Sequence, residues 1–165
     1  MVPILAALWL SSGCKAELPE QLANDASGDF PCTTFADLLI SYNPPGTEGG
    51  SALGASALGP PDNDSVQVLT DAVLSVGFVG LGSIINEVGA DIRVHGSLAP
   101  GSEIAIYVAD TDGEFEYHGA LLPNQMDIDL TTGIATRTVS SIQLVGILGQ
   151  GNIDAFEALL TGCSD

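Results

Sequence analysis

"EIAIYVADTDGEFEYHGAL", Glu103 to Leu121, is the stretch whose reading decides the fold. Ile104, Ile106 and Val108 take every second position, with Ala105 and Tyr107 between them. Successive side chains of a strand point to opposite faces, so this pattern predicts a strand with one face in a core. After "DTDG" (Asp110–Gly113) the alternation resumes, with Phe115 and Tyr117 on one side and Glu114, Glu116 and His118 on the other. Two alternating runs joined by an Asp- and Gly-rich turn predict an antiparallel hairpin. On this reading Phe115 and Tyr117 face the core.

The same texture extends in both directions. Strands are expected over Thr33–Tyr42, Ser65–Leu69, Ala72–Val79 and Ala90–Gly96 upstream of the hairpin. Downstream they are expected over Met126–Leu130, Ser141–Ile147 and Asp154–Leu160, the last short enough to be read as helix or strand. Short β-type runs broken by Gly, Pro, Asn and Asp point to an all-β sandwich or barrel rather than alternating β and α units. Between them Pro44–Pro61 is a Gly-, Ala- and Pro-rich loop with a small duplication, "SALGA" then "SALGP".

Composition narrows the function classes. The chain has 165 residues, 45% of them hydrophobic and 15% charged, which suits one folded domain. Its 21 acids face three bases, Lys15, Arg93 and Arg137, for a formal charge of −18. Such a chain repels nucleic acid and anionic lipid, both of which require clustered Lys and Arg. It suits divalent cations or a saline medium.

The N-terminus carries an address. "MVPILAALWLSSGC" is an apolar run too short to cross a bilayer core of ~30 Å, and it reads as a leader over residues 1–13. "LSSGC" resembles the lipobox of bacterial lipoproteins, which implies lipidation at Cys14 and a membrane attachment through that lipid alone. Residues 14–30 read as a polar tether, and 31–165 as the domain. With Cys14 acylated, Cys32 and Cys163 remain as a pair, and a bridge between them would stabilise by up to ~4–5 kcal/mol.

Two tempting motifs fail on mechanism. "GFVGLG" (Gly77–Gly82) imitates a dinucleotide-binding turn, but Ile85 stands where the third glycine belongs and a strand follows instead of a helix. "DTDGE" (Asp110–Glu114) lacks the later ligands and flanking helices of an EF-hand. Catalytic signals are sparse: His95 and His118 sit in or beside strands with no nucleophile elbow or paired-Cys zinc motif near them. A hydrolase using Asp91 and His95 is the residual enzymatic reading.

"SALGPPDND", Ser56 to Asp64, sets Asp62 and Asp64 one residue apart behind two prolines. In chain order, "FADLLISY" (Phe35–Tyr42), "ALGPPD" (Ala57–Asp62), "GADIRV" (Gly89–Val94), "YVADTDGEF" (Tyr107–Phe115) and "NIDAFEAL" (Asn152–Leu159) resemble a bacterial extracellular module. That module is similar to discoidin and coagulation-factor C domains. The resemblance implies an all-β, antiparallel jelly-roll β-sandwich of the galactose-binding-like kind. It also implies a structural Ca2+ where the loop after the first strand meets the last strand. Asp62 and Asp64 would supply loop carboxylates and Glu157 one from the closing strand, with Asp154 as its substitute, toward the ~6–8 oxygens calcium takes.

The expected function is non-catalytic binding or adhesion at a bacterial cell envelope, or after secretion. A glycan or an envelope or matrix component is the expected partner. A purely structural envelope domain is the first rival. Sugar sites stack rings on exposed aromatics, and here the one Trp, Trp9, falls in the leader. Tyr42 and Tyr107, with Arg93 and His95, are left as surface candidates that no pattern brings together.

Overall fold

A computed structural model describes residues 33–46, 51–110, 113–130 and 138–159. Cys14, Cys32 and Cys163 lie outside the described residues, and so does the leader and tether over 1–30. The strands are β1 (Thr33–Phe35), β2 (Leu38–Asn43), β3 (Val66–Leu69), β4 (Val73–Gly77), β5 (Ile84–Ile85) and β6 (Ile92–Leu98). They continue as β7 (Glu103–Ala109), β8 (Glu116–Leu121), β9 (Asp127–Ile128), β10 (Thr138–Val139), β11 (Ser141–Leu148) and β12 (Gln150–Leu159). One helical turn (Ser51–Gly54) and a 3-10 turn (Ala55–Ala57) interrupt the long Gly, Ala and Pro loop.

Among the described residues the pairings are antiparallel, and apart from one short pair they make two five-stranded sheets. The first runs β1-β12-β6-β9, with β3 also on β12; the second runs β2-β4-β11-β7-β8. A short β5–β10 pair stands apart. This is an antiparallel jelly-roll β-sandwich. The closing segment, open between helix and strand in sequence, is a ten-residue strand at the centre of the first sheet.

The core forms where the alternating faces meet. Ile104, Ile106 and Val108 point inward with Leu74, Val76, Ile142 and Leu144 from the second sheet. Val66, Val68, Ile92, Val94, Ile153 and Phe156 face them from the first. Each large side chain so buried contributes ~1.5–3 kcal/mol, which sets the registers of both sheets.

Two expectations change here. The single strand expected over Thr33–Tyr42 is two strands in different sheets, broken at Ala36–Asp37. Asp37 explains the break: its carboxylate accepts 2.7 Å bonds from the Val79 and Gly80 amides, pinning the β4–β5 loop as the chain crosses over. The phase expected for Phe115 and Tyr117 is also corrected. A bulge between Ile106–Gly119 and Tyr107–Tyr117 shifts β8 by one residue and turns Tyr117 outward, 63% exposed.

Candidate functional site

The acidic turn at Asp62–Asp64 is closed by its own Asp62 carboxylate and by the last strand. Asp62 Oδ1 accepts a 2.8 Å bond from the Asp64 amide, closing a tight turn of the kind short carboxylates make. Asn63 between them is left-handed, with φ 73°, a conformation Asn tolerates. Across from the turn, Asp154 of β12 accepts from the Asp62 and Asn63 amides, both at 3.2 Å. The loop and closing strand do meet, and Asp154 is the carboxylate that joins them.

Glu157 sits elsewhere. A bulge between Ile153 and Ala155 sets its phase, and Glu157 lands opposite Arg93 and Phe35 in the register. Its Oε2 lies 2.7 Å from His95 Nε2. Asp62, Asp64 and Glu157 therefore do not share one corner as expected. Among the described residues no three His, Cys, Asp or Glu side chains gather as a metal-holding group.

Arg93 and His95 do stand together, on the outer face of the first sheet. Arg93 Nε is 2.9 Å from Asp127 Oδ1, and Asp127 raises the guanidinium's pKa by hydrogen bond and charge, with Glu157 adding to it. Both partners are 46% exposed, so the pair contributes only ~0–1 kcal/mol. The Phe35 ring lies 6.1 Å from His95, tilted by 52°. With Arg93 and His95 each already bonded to a carboxylate, this face reads as a self-satisfied polar surface.

The other two surface candidates lie apart from that pair. Tyr42 is buried on the core side of β2, its hydroxyl donating a 2.6 Å bond to the Gln67 carbonyl, and burial raises its pKa. Tyr107 is on the outer face of the second sheet. The hydrolase pair is also separated. Asp91 is 1% exposed, and its two oxygens accept 2.7 Å bonds from the Glu87 and Leu130 amides. A carboxylate so committed is a fastener rather than a general base.

The outer face of the second sheet holds what the sequence did not disclose. Ser41, Ser75, Gln143, Tyr107 and Tyr117 stand in register across its five strands. Gln143 Nε2 donates to Ser75 Oγ at 3.0 Å, and the Ser41 and Ser75 hydroxyls bond at 3.2 Å. The Tyr107 and Tyr117 rings meet edge to face, 5.6 Å apart. Flanking rows are Leu38–Gly77–Ser141–Ala109 and Asn43–Val73–Val145–Ala105–Ala120. None of these residues is charged.

The relief of this face is a trough. Ser75, Ala105 and Ala109 point outward yet are only 1%, 4% and 2% exposed. Leu38 and Ile40 make one wall: a Cβ added to Gly77 would touch both, at 3.5–3.6 Å. Tyr107 and Tyr117 make the other. At the Gly77 end the trough opens into a depression of about 310 Å³ bordered by Leu38, Val79 and Ser141. An uncharged floor, an amide and two tyrosine rings are the chemistry that contacts sugars: rings stack and hydroxyls bond.

The chain is thus a jelly-roll sandwich with an uncharged aromatic trough on one sheet. No known protein family and no curated protein matches it. Two solved chains are similar to it. One is the CBM32 of AlyQ in complex with 4,5-unsaturated mannuronic acid, with TM-score 0.45, 9% identity, and coverage of 76% of this chain and 97% of that one. The other is a pectin binding carbohydrate binding module, with TM-score 0.41, 7% identity, and coverage of 79% and 96%.

Proposed function

We propose that this chain is a non-catalytic carbohydrate-binding domain that takes its glycan in the trough of the second sheet. One observation carries the reading: the Tyr117–Tyr107–Gln143–Ser75–Ser41 row, aromatic at one end and hydrogen-bonding along its length. Stacking on tyrosine costs little conformational entropy, since the ring is held by two χ angles and here by its neighbour. Tyr117 is largely exposed on the outer face, so its loss leaves the fold in place.

Binding to a glycan array, followed by titration with the best hit, tests the proposal. Tyr117→Ala weakens that hit about tenfold or more, a loss of ~1.4 kcal/mol, with the melting temperature unchanged. A wild type silent on the whole array, or a Tyr117→Ala protein that binds as before, overturns it. Repeating titration and melting in chelator addresses calcium, which plays no part in what carries this reading. A lower melting temperature in chelator, abolished by Asp62→Ala, supports an ion at the Asp62–Asp64 corner; no change dismisses it.

The address belongs to the same proposal. A glycan-binding domain on a lipid at Cys14 would hold a cell to a polysaccharide or an envelope to its matrix. Mass spectrometry of envelope-extracted protein is expected to show acylated Cys14 and, on non-reducing digestion, a Cys32–Cys163 peptide. An intact 1–13 segment on soluble protein, or free thiols at both positions, contradicts each in turn.

A further inference from the structure

Resting on that reading of the trough, we infer that the site selects uncharged saccharides and rejects uronate chains. The rows of the trough carry no charge, while the residues around it are acidic. Asp37 stands just before β2, Glu103 opens β7 in phase with Ala105 and Tyr107, and Asp110 follows β7. Among the described residues no Lys or Arg lies on this face: Arg93 belongs to the first sheet, where it is bound to Asp127. Lys15 and Arg137 lie outside the described residues.

A carboxylate brought into the trough therefore meets a negative rim in a chain of formal charge −18, with no described cation to receive it. A neutral sugar suffers neither penalty. Its hydroxyls find the Gln143 amide and the Ser41 and Ser141 hydroxyls, and its C–H faces find the tyrosines. Binding of a neutral ligand releases no counterions and is insensitive to salt, whereas repulsion of a uronate is screened as salt rises.

The experiment compares neutral and uronate oligosaccharides of equal length on the full-length protein, by calorimetric titration at low and high salt. Neutral chains are expected to bind equally well at both salts. Uronates are expected to bind at least about tenfold more weakly at low salt, with the gap narrowing at high salt. Gln143→Lys, which sets a cation among the tyrosines, is expected to raise uronate affinity about tenfold at low salt. Uronates that bind as tightly as neutral chains, through Tyr117, overturn the selectivity and leave the trough a glycan site. Neutral chains that bind with no dependence on Tyr117 overturn the trough itself.

Discussion

Asp91→Ala is expected to cost about 3 kcal/mol or more, lowering the melting temperature by roughly 10 °C. The wild-type carboxylate is 1% exposed and receives two 2.7 Å bonds, from the Glu87 amide to Oδ1 and from the Leu130 amide to Oδ2. Removing it strands the buried Leu130 amide and the half-buried Glu87 amide, at ~1–3 kcal/mol for a donor that water cannot reach and less for the second. The backbone of Asp91 is tied as well: its amide donates to the Ile128 carbonyl at 2.9 Å, and its carbonyl accepts from Leu159 at 2.7 Å. One residue thus fastens the β5–β6 loop, the segment after β9 and the end of β12. Asp91→Asn keeps one acceptor but turns its NH2 group toward a donor, so it falls between the two. Thermal unfolding of both variants checks this, and a melting temperature for Asp91→Ala within about 2 °C of wild type refutes it. A hydrolytic Asp91 predicts the opposite outcome: a stable fold and a lost turnover.

Asp91 also shows where sequence reading stops. The strand it precedes was plain from Ile92 and Val94, but its donors lie four and 39 residues away in the chain. No local pattern marks a carboxylate as a fastener for distant amides. The acidic corner was half legible for the same reason. Two prolines and alternating acids announced a rigid turn at Asp62–Asp64, while the partner, 92 residues on, depended on the bulge in β12. That bulge gives Asp154 to the loop and Glu157 to His95.

Alternation was trustworthy where strands ran without interruption. Ile104, Ile106 and Val108 are buried as their spacing predicted, because β7 keeps its phase throughout. In β8 the bulge beside His118 breaks the period, and Tyr117 turns from expected core residue into the exposed wall of the trough. The exposed aromatic was therefore present in the sequence but assigned to the wrong face. The trough could not be read at all before the registers were known. Its row draws one residue from each of five strands scattered between Ser41 and Gln143.

Gly146→Ala is the second large effect, and it tests how the two sheets are joined. Gly146 lies in β11 beside a bulge, where the turn from β3 to β4 crosses from the first sheet to the second. Its amide donates to the Ala72 carbonyl and its carbonyl accepts from the Asp71 amide, both at 2.9 Å. Asp71 is held left-handed there, with φ 67°. An added Cβ would fall inside the Leu69 carbonyl oxygen and lie 2.7 Å from its carbon, both backbone atoms that no rotamer change can move. The turn must lift, and both clasping bonds weaken as it does. The expected cost is about 3 kcal/mol, at the upper end for overpacking, because backbone rather than a flexible side chain has to give. Gly101→Ala is the control: its φ is +79° with nothing within 4 Å, so only left-handed strain of about 1 kcal/mol applies. Denaturant unfolding of the two variants separates crowding from strain. Equal losses would mean that the crossing turn yields freely and that the sheets are not clasped at Gly146.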